Sequence, residues 1–474
     1  MEKMSCSNKR KTQKYRLQTG MQQCTSYLLM VFAFFSILSC QVNEHPAADQ
    51  SGQEKSLHPE WSRNAVIYEV NIRQYSADGT FNAFADDLPR LKDLGVDILW
   101  IMPFQPIGEK NRKGELGSYY SIKDYKAVNP HLGSMNDFKS LVKKAHDLGF
   151  KVIMDWVGNH SAWDNPLTSE HPDWYLKDSL DHLISPYDWT DVVQFDYENE
   201  ELRNYMIDAM KFWVEETNID GFRCDVAHMV PVSFWKKAHK ELDKVKDVFM
   251  LAEAEGPEYH HEAFDMSYGW EFHHIMNEVA AGNKDVGHIT GYFHKIDTLY
   301  PADSYIMQFT SNHDENSWNG TVFERLGFAV EAFAVLSFTV PDMPLIYNGQ
   351  EVGMDKRLRF FSKDTIHWNE SPFTPFYKTL TELKHDNDAL RNGDEGGELN
   401  IIDNSTPSRV FSYFREKNSD KILVLLNLSD GHVSTSLKGN DFAGDYKNVF
   451  TGETVLVNPS SSFELAPGEY ILLQ

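Results

Sequence analysis

From about residue 62 the chain repeats one rhythm: a short, apolar, β-forming run, then an amphipathic helical stretch. The runs are AVIYEVNI (65–72), DILWIMPF (97–104), KVIMDWV (151–157), GFRCDVA (221–227), VFMLAEA (248–254), SYIMQFT (304–310) and MPLIYNG (343–349), with AFDMSYGW (263–270) a weaker eighth. Between them, SMNDFKSLVKKAHDLG (134–149) and NEELRNYMIDAMKFWVEET (199–217) carry helical periodicity. In the first, Phe138, Leu141, Val142 and Ala145 fall on one face, and Gly149 stops the helix. Strands alternating with helices specify a parallel β/α architecture. A closed barrel and an open doubly wound sheet both satisfy that pattern. No Gly-rich phosphate loop follows the first run, which speaks against a nucleotide-binding open sheet. Several runs end in charged residues, which suits a barrel with its site at the C-terminal rim. The expected fold is therefore a (β/α)8 TIM barrel over residues 59–390.

Two segments break the rhythm. Residues 160–197 hold Trp163, Trp174, Tyr175, Tyr187 and Trp189 among Asp, Pro and Ser, and read as a short excursion domain after strand 3 that walls or covers a site. Beyond residue 395 the pattern is all β, in SRVFSYFRE (408–416), KILVLLNLS (421–429) and EYILLQ (469–474), so residues 395–474 read as a C-terminal antiparallel β-sandwich.

The fourth run is anomalous. GFRCDVAH (221–228) puts Arg223 and Asp225 on one face of a strand that should be apolar on both faces. Burying charges costs several kcal/mol unless they are paired, so the two either neutralise one another or serve chemistry. Three other strand ends are also polar: DWVGNH (155–160), LAEAE (251–255) and FTSNHDEN (309–316). A barrel would bring Asp155, Asn159, His160, Arg223, Asp225, Glu253, His313 and Asp314 to one rim. Carboxylates crowded in one pocket have their pKa values pushed apart, the requirement for hydrolysis by a nucleophile and a protonated acid. Glu255 shares a face with Glu253, and alternation alone does not choose between them. The pairs His260–His261 and His273–His274 lack the helical spacing of a metal site.

The formal net charge of −25 argues against nucleic acid and anionic membrane surfaces as partners and fits a neutral substrate. The N-terminus differs from the rest. Lys9, Arg10, Lys11, Lys14 and Arg16 precede the apolar YLLMVFAFFSILSC (27–40), too short to span a membrane and suited to a secretory signal. Small residues before Cys40 resemble a bacterial lipoprotein signal. The expectation is that residues 1–39 are cleaved, Cys40 is lipidated, and 40–58 form a flexible tether. The protein would then be exported and anchored to a bacterial membrane through Cys40, in the periplasm or at the cell surface. Cleavage would leave Cys40 and Cys224 as the remaining cysteines, so no disulfide is expected.

The four polar strand ends, in this order, resemble the α-amylase family of glycoside hydrolases, family 13. Its patterns D-x-V-x-N-H, G-F-R-x-D, a glutamate after a β-run, and N-H-D read here as Asp155 to His160, Gly221 to Asp225, Glu253, and Asn312 to Asp314. GSYYSIKDY (117–125) is similar to the family's second-strand loop and YNGQEVG (347–353) to the end of its eighth strand. The resemblance implies a retaining glycosidase acting on α-1,4-glucans or maltooligosaccharides. It makes Asp225 the nucleophile, Glu253 the acid and base, and Asp314 the residue that binds sugar hydroxyls and stabilises the transition state. Tyr120 would stack on the sugar, His160 and His313 would hydrogen-bond it, Arg223 would hold the nucleophile, and Asp155 would buttress the site. Trp163 and Trp189 are further stacking candidates.

Three departures stand out. Many members carry Lys-His at the third and fourth positions after the nucleophile, where this chain has His228 and Met229, so His228 is a candidate contact on the leaving-group side. The excursion is short, which leaves few sugar subsites. Members often bind calcium through the asparagine of the first motif and the aspartate of a D-L-N stretch. Here these are Asn159 and Gln194, so calcium is expected to be weakened, and the chemistry itself needs no cofactor. An exo-acting α-glucosidase, a transglycosylase and a non-catalytic glycan binder remain the alternatives, with a monomer expected.

Overall fold

The computed structural model describes residues 58–474. The leader, Cys40 and nearly all of the expected tether lie outside the described residues. Eight parallel strands close into a barrel: β1 (Ile67–Val70), β2 (Ile98–Ile101), β3 (Lys151–Trp156), β4 (Gly221–Cys224), β5 (Phe249–Ala252), β6 (Met266–Tyr268), β7 (Tyr305–Phe309) and β8 (Met343–Tyr347). Each pairs with its sequence neighbours, and β8 closes on β1 through Ile67 opposite Leu345. The open-sheet alternative is thereby excluded. Each of the eight β-runs read between residues 65 and 349 contains one barrel strand.

Helices α1 (Leu88–Leu94), α2 (Met135–Asp147), α3 (Glu200–Thr217), α4 (Val232–Leu242), α5 (Trp270–Ala280), α6 (Gly287–Leu299), α7 (Val330–Thr339) and α8 (Phe373–Asp386) surround it. Helix α2 shows why the pattern was legible. Ser134 and Asp137 form a reciprocal capping box at its start, and Phe138, Leu141, Val142 and Ala145 are its buried residues. Gly149 turns the chain out at a φ of 87°. Between β5 and β6 the connection carries only a 3-10 turn, Pro257–His260, so the repeat is incomplete there.

Inside the barrel, Ile67, Ile98, Trp100, Ile153, Leu251, Tyr268, Met307 and Leu345 pack as a closed core. A much larger apolar layer lies between strands and helices. This filled interior leaves the rim as the place for a site.

The tail comprises β9 (Asn400–Ile401), β10 (Val410–Lys417), β11 (Asp420–Asn427), β12 (Val433–Ser436), β13 (Gly444–Lys447), β14 (Thr454–Val457), β15 (Ser462–Leu465) and β16 (Tyr470–Leu473). It is not two continuous sheets. A four-stranded antiparallel sheet, β9-β10-β11-β16, shares a core with the ribbons β12-β15 and β13-β14. Buried Arg415 fastens it to the barrel by donating to the carbonyls of Thr339 and Val340 at the C-terminal end of α7 (3.2 and 2.9 Å).

Candidate active site

Strands β3, β4 and β5 place one guanidinium among three carboxylates. Parallel register sets Asp155 beside Arg223. Arg223 Nη1 donates to Asp155 Oδ1 (2.8 Å) and to Asp225 Oδ1 (3.1 Å), and Nη2 lies 2.7 Å from Glu253 Oε1 without hydrogen-bond alignment. Its Nε donates to the Tyr268 hydroxyl (3.1 Å), and the Trp100 ring lies 5.0 Å from Cζ. The charged strand of the sequence is therefore paired, and more than once over. It also ends a residue early, at Cys224. Asp225 follows it, and Val226 takes a left-handed conformation with φ of 37°. That is a strained arrangement for a β-branched residue, worth about 1–3 kcal/mol. In it the Val226 N–H donates to Glu253 Oε2 (2.7 Å).

The second half of the site comes from β1, the loop after β2, and the end of β7. The His313 ring sits between Glu69 Oε1 at Nδ1 (2.5 Å) and the Tyr120 hydroxyl at Nε2 (2.8 Å), with Asp314 Oδ2 3.3 Å from Nε2. Tyr120 in turn donates to Asp155 Oδ2 (3.1 Å), which also accepts from Trp100 Nε1 (3.1 Å). A doubly protonated His313 satisfies this chain: Nδ1–H to Glu69, Nε2–H to Tyr120, and the Tyr120 hydroxyl to Asp155. Burial opposes that charge, but the Asp314 and Glu69 carboxylates outweigh it and push His313 up to about 9. His160 has no such partners, and burial pushes it down to about 4, so it is neutral.

Five carboxylates (Glu69, Asp155, Asp225, Glu253, Asp314) face two cations, Arg223 and His313. Burial pushes Glu69, Asp155, Asp225 and Glu253 up. For Asp225 the charge of Glu253 adds to this while Arg223 opposes it, and for Glu253 Arg223 opposes while Asp314 adds. All four shifts point the same way, so burial and mutual repulsion disfavour ionising these carboxylates all at once.

Asp225, Glu253, Asp314, Tyr120, His160 and His313 all line one cavity of about 370 Å³. Arg223 and Asp155 lie directly beneath, fully buried. Lys113, Asp188, Trp189, Asp191, Trp318, Phe360 and Phe361 complete the walls. Trp189 is thus a wall residue, whereas Trp163 is turned away, its Nε1 donating to the Thr190 carbonyl (3.0 Å). Glu255 lies elsewhere. Its carboxylate accepts from the Glu271 N–H (3.1 Å) in the first turn of α5, outside the cavity.

His228 does not join the site. The turn at Val226 ends the strand's alternation, and His228 is exposed on the 3-10 turn Ala227–Met229, away from the cavity lining. The residues offered for calcium do not fit it either. Asn159 Oδ1 faces the Gln194 amide (Nε2 at 3.4 Å), and Asn159 Nδ2 contacts His160 Nδ1 (3.3 Å). Asp164 is held by the Lys123 ammonium (3.2 Å) and the Glu109 N–H (3.0 Å), and Asp196 accepts from the Glu198 N–H (3.0 Å). Two facing neutral amides do not make the multi-anionic oxygen cage a hard cation takes. Among the described residues no group of three or more His, Cys, Asp and Glu side chains is placed to hold a metal.

The sequence reading missed Glu69, Trp318, the Phe360–Phe361 pair and Lys113. For Glu69 the signal was available: it is a lone carboxylate inside an apolar run, as Asp225 is.

The sequence matches the family model described as alpha amylase, catalytic domain, over residues 48–192 and 170–393. A solved maltogenic alpha-amylase, AmyB, from Thermotoga neapolitana is 34% identical, with a TM-score of 0.80 over 86% of this chain and 98% of that one. An alpha-amylase from Lactobacillus plantarum is 31% identical, with a TM-score of 0.78 over 87% and 99% of the two chains. The alpha-amylase MalA of Haloarcula japonica is 28% identical across 86% of this chain, which spans 63% of that relative's length.

Proposed function

The chain belongs to the α-amylase family of glycoside hydrolases, and from that premise we propose that it cleaves α-1,4-glucosidic bonds in starch-type glucans or maltooligosaccharides with retention of configuration. The observation that carries the reading is the single Arg223 guanidinium touching both Asp225 and Glu253, whose carboxylates open into one cavity. Asp225 attacks the anomeric carbon while protonated Glu253 gives its proton to the departing glycosidic oxygen. The C–O bond breaks, and a glycosyl ester forms on Asp225. Glu253, now ionised, takes a proton from water as it attacks, which frees Asp225 and restores the acid. His160, neutral, hydrogen-bonds the sugar hydroxyls, His313 donates to the same ring with the Nε2–H it otherwise gives to Tyr120, and Asp314 offers a partly exposed carboxylate to that ring and to the positive charge that develops on it. Arg223 and Asp155 keep the nucleophile aimed. Where a sugar hydroxyl replaces water in the second step, the same residues carry out transglycosylation.

Export and lipidation at Cys40 complete the reading and rest on the pattern of residues 27–40.

The test is a digest of maltoheptaose followed by NMR of the freshly formed anomers. Initial α-products support the reading, and initial β-products end it. Asp225→Asn should lower turnover by about four or more orders of magnitude at unchanged fold.

A further inference from the structure

The wall of the cavity is uneven around the rim. Glu253, after β5, meets the leaving oxygen. The sugar that stays behind lies between Asp225 and the group Tyr120, His313 and Asp314, toward β7, β8, β1 and β2. In an eight-stranded barrel of this order β1 stands across from β5. On that far side the loops are bonded into a continuous barrier. The Trp318 ring, after β7, lies 5.1 Å from Phe360 and 5.8 Å from Phe361, after β8. Asn316 locks these two loops together through the Leu358 N–H (2.8 Å) and the Lys356 carbonyl (3.0 Å). The Phe361 carbonyl accepts from the Leu116 N–H (2.9 Å) in the loop after β2, and a Cβ on Gly114 would fall 2.4 Å from Phe361 Cβ. Lys113 in that same loop donates to the Asp188 carbonyl (3.2 Å) and pairs with Asp191 (3.3 Å), which joins it to the excursion after β3.

On the leaving-group side the cavity is lined by Val226 and Glu253. Among the described residues no hydrogen bond, ion pair or ring contact ties 226–230 or 254–260 to 186–192 or 315–319. The cavity of about 370 Å³ is also at the small end of ligand pockets, which run to ~1,000 Å³.

We infer that the cleft is closed on the side of the sugar retained by the enzyme and open on the leaving-group side, so that it cuts short products from the non-reducing ends of α-glucans and does not cut interior bonds, with Lys113 and Phe361 setting that limit. This rests on the α-glucan reading above. Trp318, half exposed at the lip of the barrier, offers a face for the terminal sugar.

The experiment compares two aryl maltoheptaosides, one with a free non-reducing glucose and one whose terminal glucose is blocked by a bulky 4,6-acetal, on the full-length enzyme. The free substrate should be cleaved and the blocked one should be slower by about a hundredfold or more, because a wall rejects by steric clash. Lys113→Ala combined with Phe361→Ala should narrow that ratio at least about tenfold and lengthen the products from the free substrate. The inference is overturned if the wild-type enzyme cuts both substrates within about threefold of one another. If neither is cut, the α-glucan reading itself falls and takes the inference with it. The wild-type comparison decides even where the double variant fails to fold.

Discussion

Glu69→Gln tests whether a buried carboxylate near the C-terminal end of β1 fixes the charge of His313. The two side chains touch at 2.5 Å with no solvent between them. The ring also faces Asp314 and Tyr120, with Arg223 and Asp155 beyond. Burial alone would lower His313. Asp314 and Glu69 lift it to about 9. Against an ordinary histidine near 6.5 this is about 3 kcal/mol in favour of the charged ring. Glu69 is one of two carboxylates responsible, so neutralising it should lower the ring by about one to two units. The sign follows from linkage. A raised folded pKa gives stability that is fully present below about 6.5 and is lost as pH rises through about 9. The wild-type unfolding free energy should therefore fall by up to about 3 kcal/mol across that window from this group, and by about half as much in the variant, over an earlier range. NMR titration of the His313 ring, assigned with His313→Gln, reads the pKa directly. Urea unfolding at pH 6.5 and 9 reads the linkage, and the kcat/KM profile should lose its alkaline side earlier in the variant. The reasoning is refuted if His313 in Glu69→Gln still titrates near 9, or if wild type and variant lose stability equally between the two pH values.

Glu253→Gln should abolish turnover of maltoheptaose yet leave measurable release of an aryl leaving group that needs no proton, whereas Glu255→Gln should keep activity and lose about 1 kcal/mol of stability as its helix start is weakened; the reverse pattern would reassign the acid. Chelation should move the melting temperature by no more than about 2 °C, since Asn159 Oδ1 accepts from the Gln194 amide, and Gln194→Asp should introduce calcium-dependent melting; a calcium-dependent wild type in a thermal melt would show that other oxygens assemble a site. Cys40→Ser should move the protein from the membrane fraction to the soluble one, and unchanged retention with no acyl mass would leave an ordinary signal or an uncleaved anchor instead.

The fold was legible because its two periodicities are local. Phe138, Leu141, Val142 and Ala145 reveal a buried helix face to anyone counting threes and fours, and each strand run names itself by its β-branched and aromatic residues. The weakest run, 263–270, gave the shortest barrel strand, Met266–Tyr268, and the helix that should precede it is missing. Alternation also found Arg223 and Asp225, because both partners sit in one run. It passed over Glu69, although the same physics applies, because the partner that justifies its burial lies 244 residues away. At His228, offered by its place in the family motif, a single left-handed residue, Val226, redirects the chain and leaves the side chain exposed and off the cavity lining. The excursion was legible as a wall of the site, and Asp188, Trp189 and Asp191 do line the cavity, but its ties to the other loops were not. Lys113 reaches Asp188 across 75 residues, and Leu116 meets Phe361 between loops from opposite ends of the barrel domain. No local pattern encodes such contacts. They follow only once the barrel has set the loops side by side, so the residues that perform the chemistry could be read in order along the chain, while those that limit how much of a glucan enters could be read only from the closed rim.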